Sequence, residues 1–182
     1  MVSAVCLWGG AAIYIFAKPT RINPVPWIVW AAASLVASIN TTVEEGFSKQ
    51  ALVFAGTGLF FGGVVMRRRR VLVWRSLPRW QKTALPFLIA SPVVTIWADP
   101  LAGMLLQTAF AWVTAATFIQ TAATGVSRDP LVAWWIELSG CILLFAANDF
   151  LTRSWILPLN SSLVTVACLS AIYVGKSKAI PR

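Results

Sequence analysis

Seven apolar stretches succeed one another along this chain: Val2–Ala17, Pro26–Thr42, Phe47–Met66, Thr83–Ala98, Leu101–Gly125, Leu131–Asn148 and Trp155–Gly175. A helix crosses the hydrocarbon core of a bilayer with about 20 apolar residues, within a range of roughly 17–25. Lipid offers no hydrogen bonds to an open backbone, so stretches of this kind have to be helices. Only 12% of the 182 residues are charged, against about 25% in a soluble domain. The sequence predicts an all-α integral membrane protein with seven transmembrane helices.

The basic residues give that arrangement a direction. The stretch RRRRVLVWRSLPRWQK, Arg67 to Lys82, holds seven of the fifteen lysines and arginines and no acid. Short basic loops stay on the cytoplasmic side. With this loop inside, seven spans put the N-terminus outside and the C-terminus in the cytoplasm. Thirteen of the fifteen basic residues then fall inside, leaving Lys49 and Arg153 outside with Glu44, Glu45, Asp99 and Asp149. A different number of spans would scramble that division. Arg67, Arg68, Arg69 and Arg70 are accordingly expected to set topology and to touch anionic lipids of the inner leaflet. The net charge of +9 lies in loops between apolar runs, which argues against nucleic acid as a partner. The N-terminus lacks the basic region of a signal peptide, so the first stretch is read as a retained span. Basic loops and the pI of 10.4 fit a bacterial inner (plasma) membrane.

Several chemistries are excluded by composition. Histidine is absent, which removes the commonest metal ligand and general base. Cys6, Cys141 and Cys168 sit singly in apolar runs and read as small buried hydrophobes. The last stretch contains no lysine for a retinal Schiff base, and no Ser/His or Cys/His pair exists. The expectation is no enzyme, no metal and no cofactor.

The chain also repeats itself. TRINPVPWIVW leads into the second stretch and SRDPLVAWW into the sixth, each with a basic residue, a proline and a tryptophan pair. In each half this is the middle helix of three, and one span is left over. That predicts two parallel three-helix bundles joined by an inverting helix, 3+1+3, divided as residues 1–66, a basic loop and linker helix at 67–98, and residues 99–182. Tyr14, Lys18, Pro24, Trp27 and Trp30, then Asp99–Pro100, Asp129–Pro130 and Trp134–Trp135, resemble the SWEET/PQ-loop-like superfamily, which includes Pnu-type vitamin transporters. Pro24 is followed by Val25 and Pro130 by Leu131, so the literal proline–glutamine pair is absent. The resemblance implies parallel repeats that rock about a midplane site, with asparagines and tryptophans of both bundles facing a central path.

Candidate site residues follow from polarity inside apolar runs. Glu137 is the one ionisable residue well inside a span, where a carboxylate costs about 2.5–3.5 kcal/mol on insertion scales. It is either functional or reaches the cytoplasmic headgroups. Asn148 lies three helical turns further on and on nearly the same face. Asn40 is its counterpart in the first half, near the polar line Ser34, Ser38 and Thr41; each asparagine could instead cap a helix end. On the fifth stretch Gln107, Thr114, Thr117, Thr121 and Thr124 share one face, as pathway lining or as packing contacts between helices. Trp30 and Trp134 could stack on a solute, although an interfacial tryptophan belt also explains residues at these positions.

The expected function is a small secondary transporter or facilitator of a small polar metabolite, a vitamin, nucleoside or sugar by the resemblance. Proton coupling would follow if Glu137 titrates. The alternative is a non-transporting receptor, scaffold or accessory subunit with the same fold and a closed centre. Association into a homo-oligomer is compatible with either.

Overall fold

The computed structural model describes residues 2–16, 24–67, 85–124, 131–148 and 150–179. Among the described residues the chain is all-α, with seven helices and no strand: α1 (Val2–Phe16), α2 (Pro24–Glu45), α3 (Lys49–Arg67), α4 (Leu85–Trp97), α5 (Pro100–Ala123), α6 (Leu131–Ala146) and α7 (Ile156–Ala179). Each coincides with one apolar stretch, with ends shifted by up to about one turn. Arg68–Arg70 and the rest of the basic loop, together with Asp129–Pro130 and Asp149, lie outside the described residues.

The ends have local causes. Gly46 closes α2 at φ +77° with its N–H donated to the Thr42 carbonyl at 2.8 Å, a left-handed cap that glycine adopts without strain. Ser48 then caps α3, its Oγ accepting from the Ala51 N–H at 3.2 Å. Asp99 caps α5 through the Ala102 N–H at 3.1 Å, with Pro100 in the first position, where no N–H is needed. A short 3-10 turn, Arg153–Trp155, leads into α7. Helix α4 runs on through Pro92.

Among the described residues, three segments are long and apolar enough to cross a membrane: Lys49–Arg67, Pro100–Gln120 and Arg153–Ser177. Val2–Ile13, Pro86–Trp97 and Leu131–Ala146 are shorter apolar helices. Helix α2 is long and carries Ser34, Ser38, Asn40, Thr41, Thr42, Glu44 and Glu45.

The packing has a regular order. Helix α3 packs on both α1 and α2, and α7 packs on both α5 and α6; across the molecule α1 packs on α6 and α2 on α5. Helix α4 lies against α5 and α2. Small residues set the closest approaches. A Cβ on Gly10 would come within 2.9 Å of the Ala133 carbonyl oxygen, and one on Gly140 within 2.8 Å of the Leu7 nitrogen. Hence α1 and α6 meet nearly backbone to backbone. Of the glycines in α3, Gly56 receives the Trp8 indole and Gly58 abuts the Ala31 carbonyl, whereas Gly62 has nothing within 4 Å. Trp8, which the sequence left without a role, stacks on Phe60 at 5.7 Å and donates to the Val53 carbonyl at 3.4 Å.

Candidate functional site

Four helices bring aromatic rings together at one level of the bundle. Trp27 and Trp30, one turn apart on α2, meet edge to face at 5.7 Å. Trp30 meets Trp134 of α6 edge to face at 5.7 Å, and Phe118 of α5 lies 4.9 Å from Trp134. Phe61 of α3 touches Trp27 at 5.6 Å. Trp27 and Trp134 are 5% and 3% exposed, so these two are packed inside the bundle. Trp97, by contrast, is 84% exposed. The two repeated tryptophan motifs thus supply the residues that meet between the halves.

Next to this aromatic group is a cavity of about 90 Å³. From the first half it is lined by Trp30, Ser34 and Ala37 of α2 and by Phe54 and Phe61 of α3. From the second half come Gln107 and Ala111 of α5, Trp134 and Glu137 of α6, and Leu157, Asn160, Ser161, Val164 and Thr165 of α7. Its size suits a small solute and falls below the roughly 300–1,000 Å³ of drug-sized sites.

The cavity's polar groups are unevenly satisfied. Ser161 donates to the Leu157 carbonyl at 3.0 Å and Thr165 to the Ser161 carbonyl at 2.8 Å, so each hydroxyl hydrogen is used within α7. Asn160 is 8% exposed, and its Oδ1 is buried with no hydrogen-bond partner. The Trp134 Nε1 is likewise buried and unpartnered. Among the described residues, four buried side-chain polar atoms are orphaned, and these two belong to cavity-lining residues. A buried polar group left unpaired costs about 1–3 kcal/mol, so two on one cavity ask for an explanation. Glu137 sits one turn beyond Trp134 and has no hydrogen-bond or ion-pair partner among the described residues; its backbone presses on Gly10 of α1.

The expected asparagines lie elsewhere. Asn40 is fully buried at a junction of α2, α4 and α5. Its Nδ2 donates to Ser91 Oγ at 2.9 Å and to Gln107 Oε1 at 2.7 Å, and its Oδ1 accepts from Thr95 Oγ1 at 2.9 Å. Ser91 passes its hydrogen to the Gly103 carbonyl at 2.8 Å, and Gln107 donates to the Ala33 carbonyl at 2.9 Å. Both Nδ2 hydrogens and the Oδ1 of Asn40 are engaged by protein, so Asn40 stands behind the cavity wall, one bond removed through Gln107.

Asn148 follows the end of α6 and joins a polar clasp. It donates to Gln50 Oε1 at 2.6 Å and to Ser154 Oγ at 3.3 Å, while Gln50 donates to the Ser154 carbonyl at 3.0 Å. Thr152 and Ser154 both donate to Glu45 Oε1. Arg153 pairs with Asp99 at 3.1 Å and gives its N–H to Glu44. The Asn148 Oδ1 accepts from the N–H of Phe150, a residue at φ +57°. The clasp ties α2 and α3 to α5, α6 and the entry to α7.

Of the other expected residues, Thr117 and Thr121 lie on α5, but their side chains are outside the described residues. Thr114 is buried and donates to the Phe110 and Ala111 carbonyls of its own helix. Arg67 ends α3 and is exposed. Asn160, Ser161 and Thr165 were not among the sequence candidates. The available signal was an asparagine within the apolar run WILPLNSSL.

Among the described residues the chain is all-α, with seven helices and a cavity lined by α2, α3, α5, α6 and α7. No protein-family model, curated protein or solved structure matches it.

Proposed function

We propose that the protein is a small membrane-embedded facilitator that passes a small polar solute through the cavity by alternating access. The observation that carries this reading is a cavity lined from both halves, with the Glu137 carboxylate and the amide N–H2 of Asn160 unpartnered among the described residues. A scaffold has no need of orphaned polar groups at its centre, whereas a binding site leaves them for its ligand.

The packing order supports a 3+1+3 arrangement. The third helix of each half packs on the first and second, and the first helix of each packs on the second of the other. Helix α4 is then the linker. In this reading all seven helices cross a bacterial inner membrane, with the N-terminus outside and the basic loop at Arg67–Arg70 in the cytoplasm. The polar clasp closes the outer end and the aromatic group the inner end. Rocking of one bundle against the other would part them in turn. Glu137 is the group in the cavity able to carry a proton.

The test needs no knowledge of the solute. Ser161→Cys, in a background with Cys6, Cys141 and Cys168 replaced, is treated in oriented vesicles with a membrane-impermeant methanethiosulfonate from either side. Labelling from both sides is expected. Protection from both sides would leave the closed-centre scaffold reading in its place.

A further inference from the structure

Resting on the reading of this cavity as a solute site, the chemistry of its walls narrows the solute class beyond what size and polarity give. Among the described residues no lysine, arginine or histidine lines it, so an anion finds no counter-charge there. Glu137 lines it with no hydrogen-bond or ion-pair partner among the described residues. Ser161 has its hydroxyl hydrogen directed at the Leu157 carbonyl, which leaves oxygen lone pairs free, whereas Thr165 gives its hydrogen to the Ser161 carbonyl and also meets the Cys141 thiol. Gln107 accepts from Asn40 and gives one amide N–H to the Ala33 carbonyl, which leaves its second N–H as donor capacity. The amide N–H2 of Asn160 has no acceptor among the described residues, and the Trp134 indole N–H is buried without one. The rings of Trp30, Phe61 and Trp134 complete the wall, and aromatic faces attract cations. A carboxylate away from bulk water requires a counter-charge, either a proton or a bound cation.

We propose that the cavity binds a small protonated amine that also carries a hydroxyl or carbonyl oxygen. The ammonium N–H groups face the Glu137 carboxylate and the aromatic rings, and the ligand oxygen faces the unbonded amide N–H2 of Asn160. The carboxylate needs a counter-charge, and the amide donor needs an acceptor. A volume near 90 Å³ keeps the ligand to a few heavy atoms.

Tryptophan fluorescence of the purified full-length protein, titrated at constant ionic strength with ethanolamine and with its neutral analogue propane-1,3-diol, tests this. Ethanolamine is expected to bind saturably and at least tenfold tighter than the diol. Glu137→Gln is expected to abolish that preference, and Asn160→Ala, on another helix, to weaken ethanolamine at least fivefold. Should Glu137→Gln fail to fold by circular dichroism, Asn160→Ala carries the test. Equal binding of the diol by the wild type, or ethanolamine binding untouched by these substitutions, would overturn the amine assignment. Silence to both probes with residue 161 labelled from both sides would overturn the assignment and leave the solute path standing. Silence with residue 161 protected from both sides would overturn the path as well.

Discussion

Asn40 and Asn160 are both more than nine-tenths buried, yet their surroundings are opposite. Asn40 is enclosed by groups from α4 and α5 that engage both its Nδ2 hydrogens and its Oδ1. Asn160 faces a cavity with its carbonyl oxygen unpaired. The same residue type is a rivet in one place and an open contact in the other. Burial alone does not distinguish framework from site; the state of the polar atoms does. On this account substitutions around Asn40 should lower stability, whereas substitutions around Asn160 should change binding and leave stability nearly intact.

The largest effect is expected at Gly103, the crossing of α4 and α5 behind Asn40. A Cβ there would lie 1.8 Å from Thr95 Oγ1 and 2.7 Å from the Ser91 carbonyl oxygen. Gly103→Ala is therefore expected to lower unfolding stability by about 3 kcal/mol, the upper end for overpacking, as read by denaturant titration in micelles. Asn40→Ala comes next. Interhelical hydrogen bonds in membranes average about 0.6 kcal/mol, and three partners are orphaned together, so a loss of about 2 kcal/mol is expected. A loss below about 0.5 kcal/mol at Asn40 would break the comparison, because it would make the filled junction energetically idle.

Asn160→Ala should sharpen the comparison from the other side. No protein hydrogen bond to its Oδ1 is lost, so stability should change by less than about 0.5 kcal/mol while ligand binding drops. Arg153→Ala should be smallest. Its ion pair with Asp99 is about half exposed at both partners, and exposed pairs contribute about 0–1 kcal/mol. Both stability and solute binding are expected to stay within error of the wild type.

Much of the frame was legible in the sequence. Apolar length gave all seven helices, and the charge pattern that grouped Glu44, Glu45, Asp99 and Arg153 on one side matches their meeting in the clasp. The tryptophan repeat pointed to Trp30 and Trp134, which do touch across the halves. Glu137 was visible as a carboxylate in an apolar run. The partners of Asn40 were not visible, because Ser91, Thr95 and Gln107 lie 51 to 67 residues away and no local spacing encodes that meeting. Matching asparagines between equivalent helices favoured Asn148 over Asn160. That choice missed the cavity because Asn160 lies on the third helix of its half, outside the middle helices whose asparagines were matched. Whether an asparagine is satisfied is a property of tertiary contacts and has no local signature.

The most direct measurement is solute exchange in proteoliposomes: efflux of preloaded labelled ethanolamine against unlabelled ethanolamine outside. Wild type, Asn160→Ala and Arg153→Ala would be compared with protein-free vesicles. The account predicts saturable exchange well above the protein-free rate, unchanged by Arg153→Ala and at least fivefold slower for Asn160→Ala. Exchange at the protein-free rate, with ethanolamine and with a pentose alike, would contradict a solute path through this cavity.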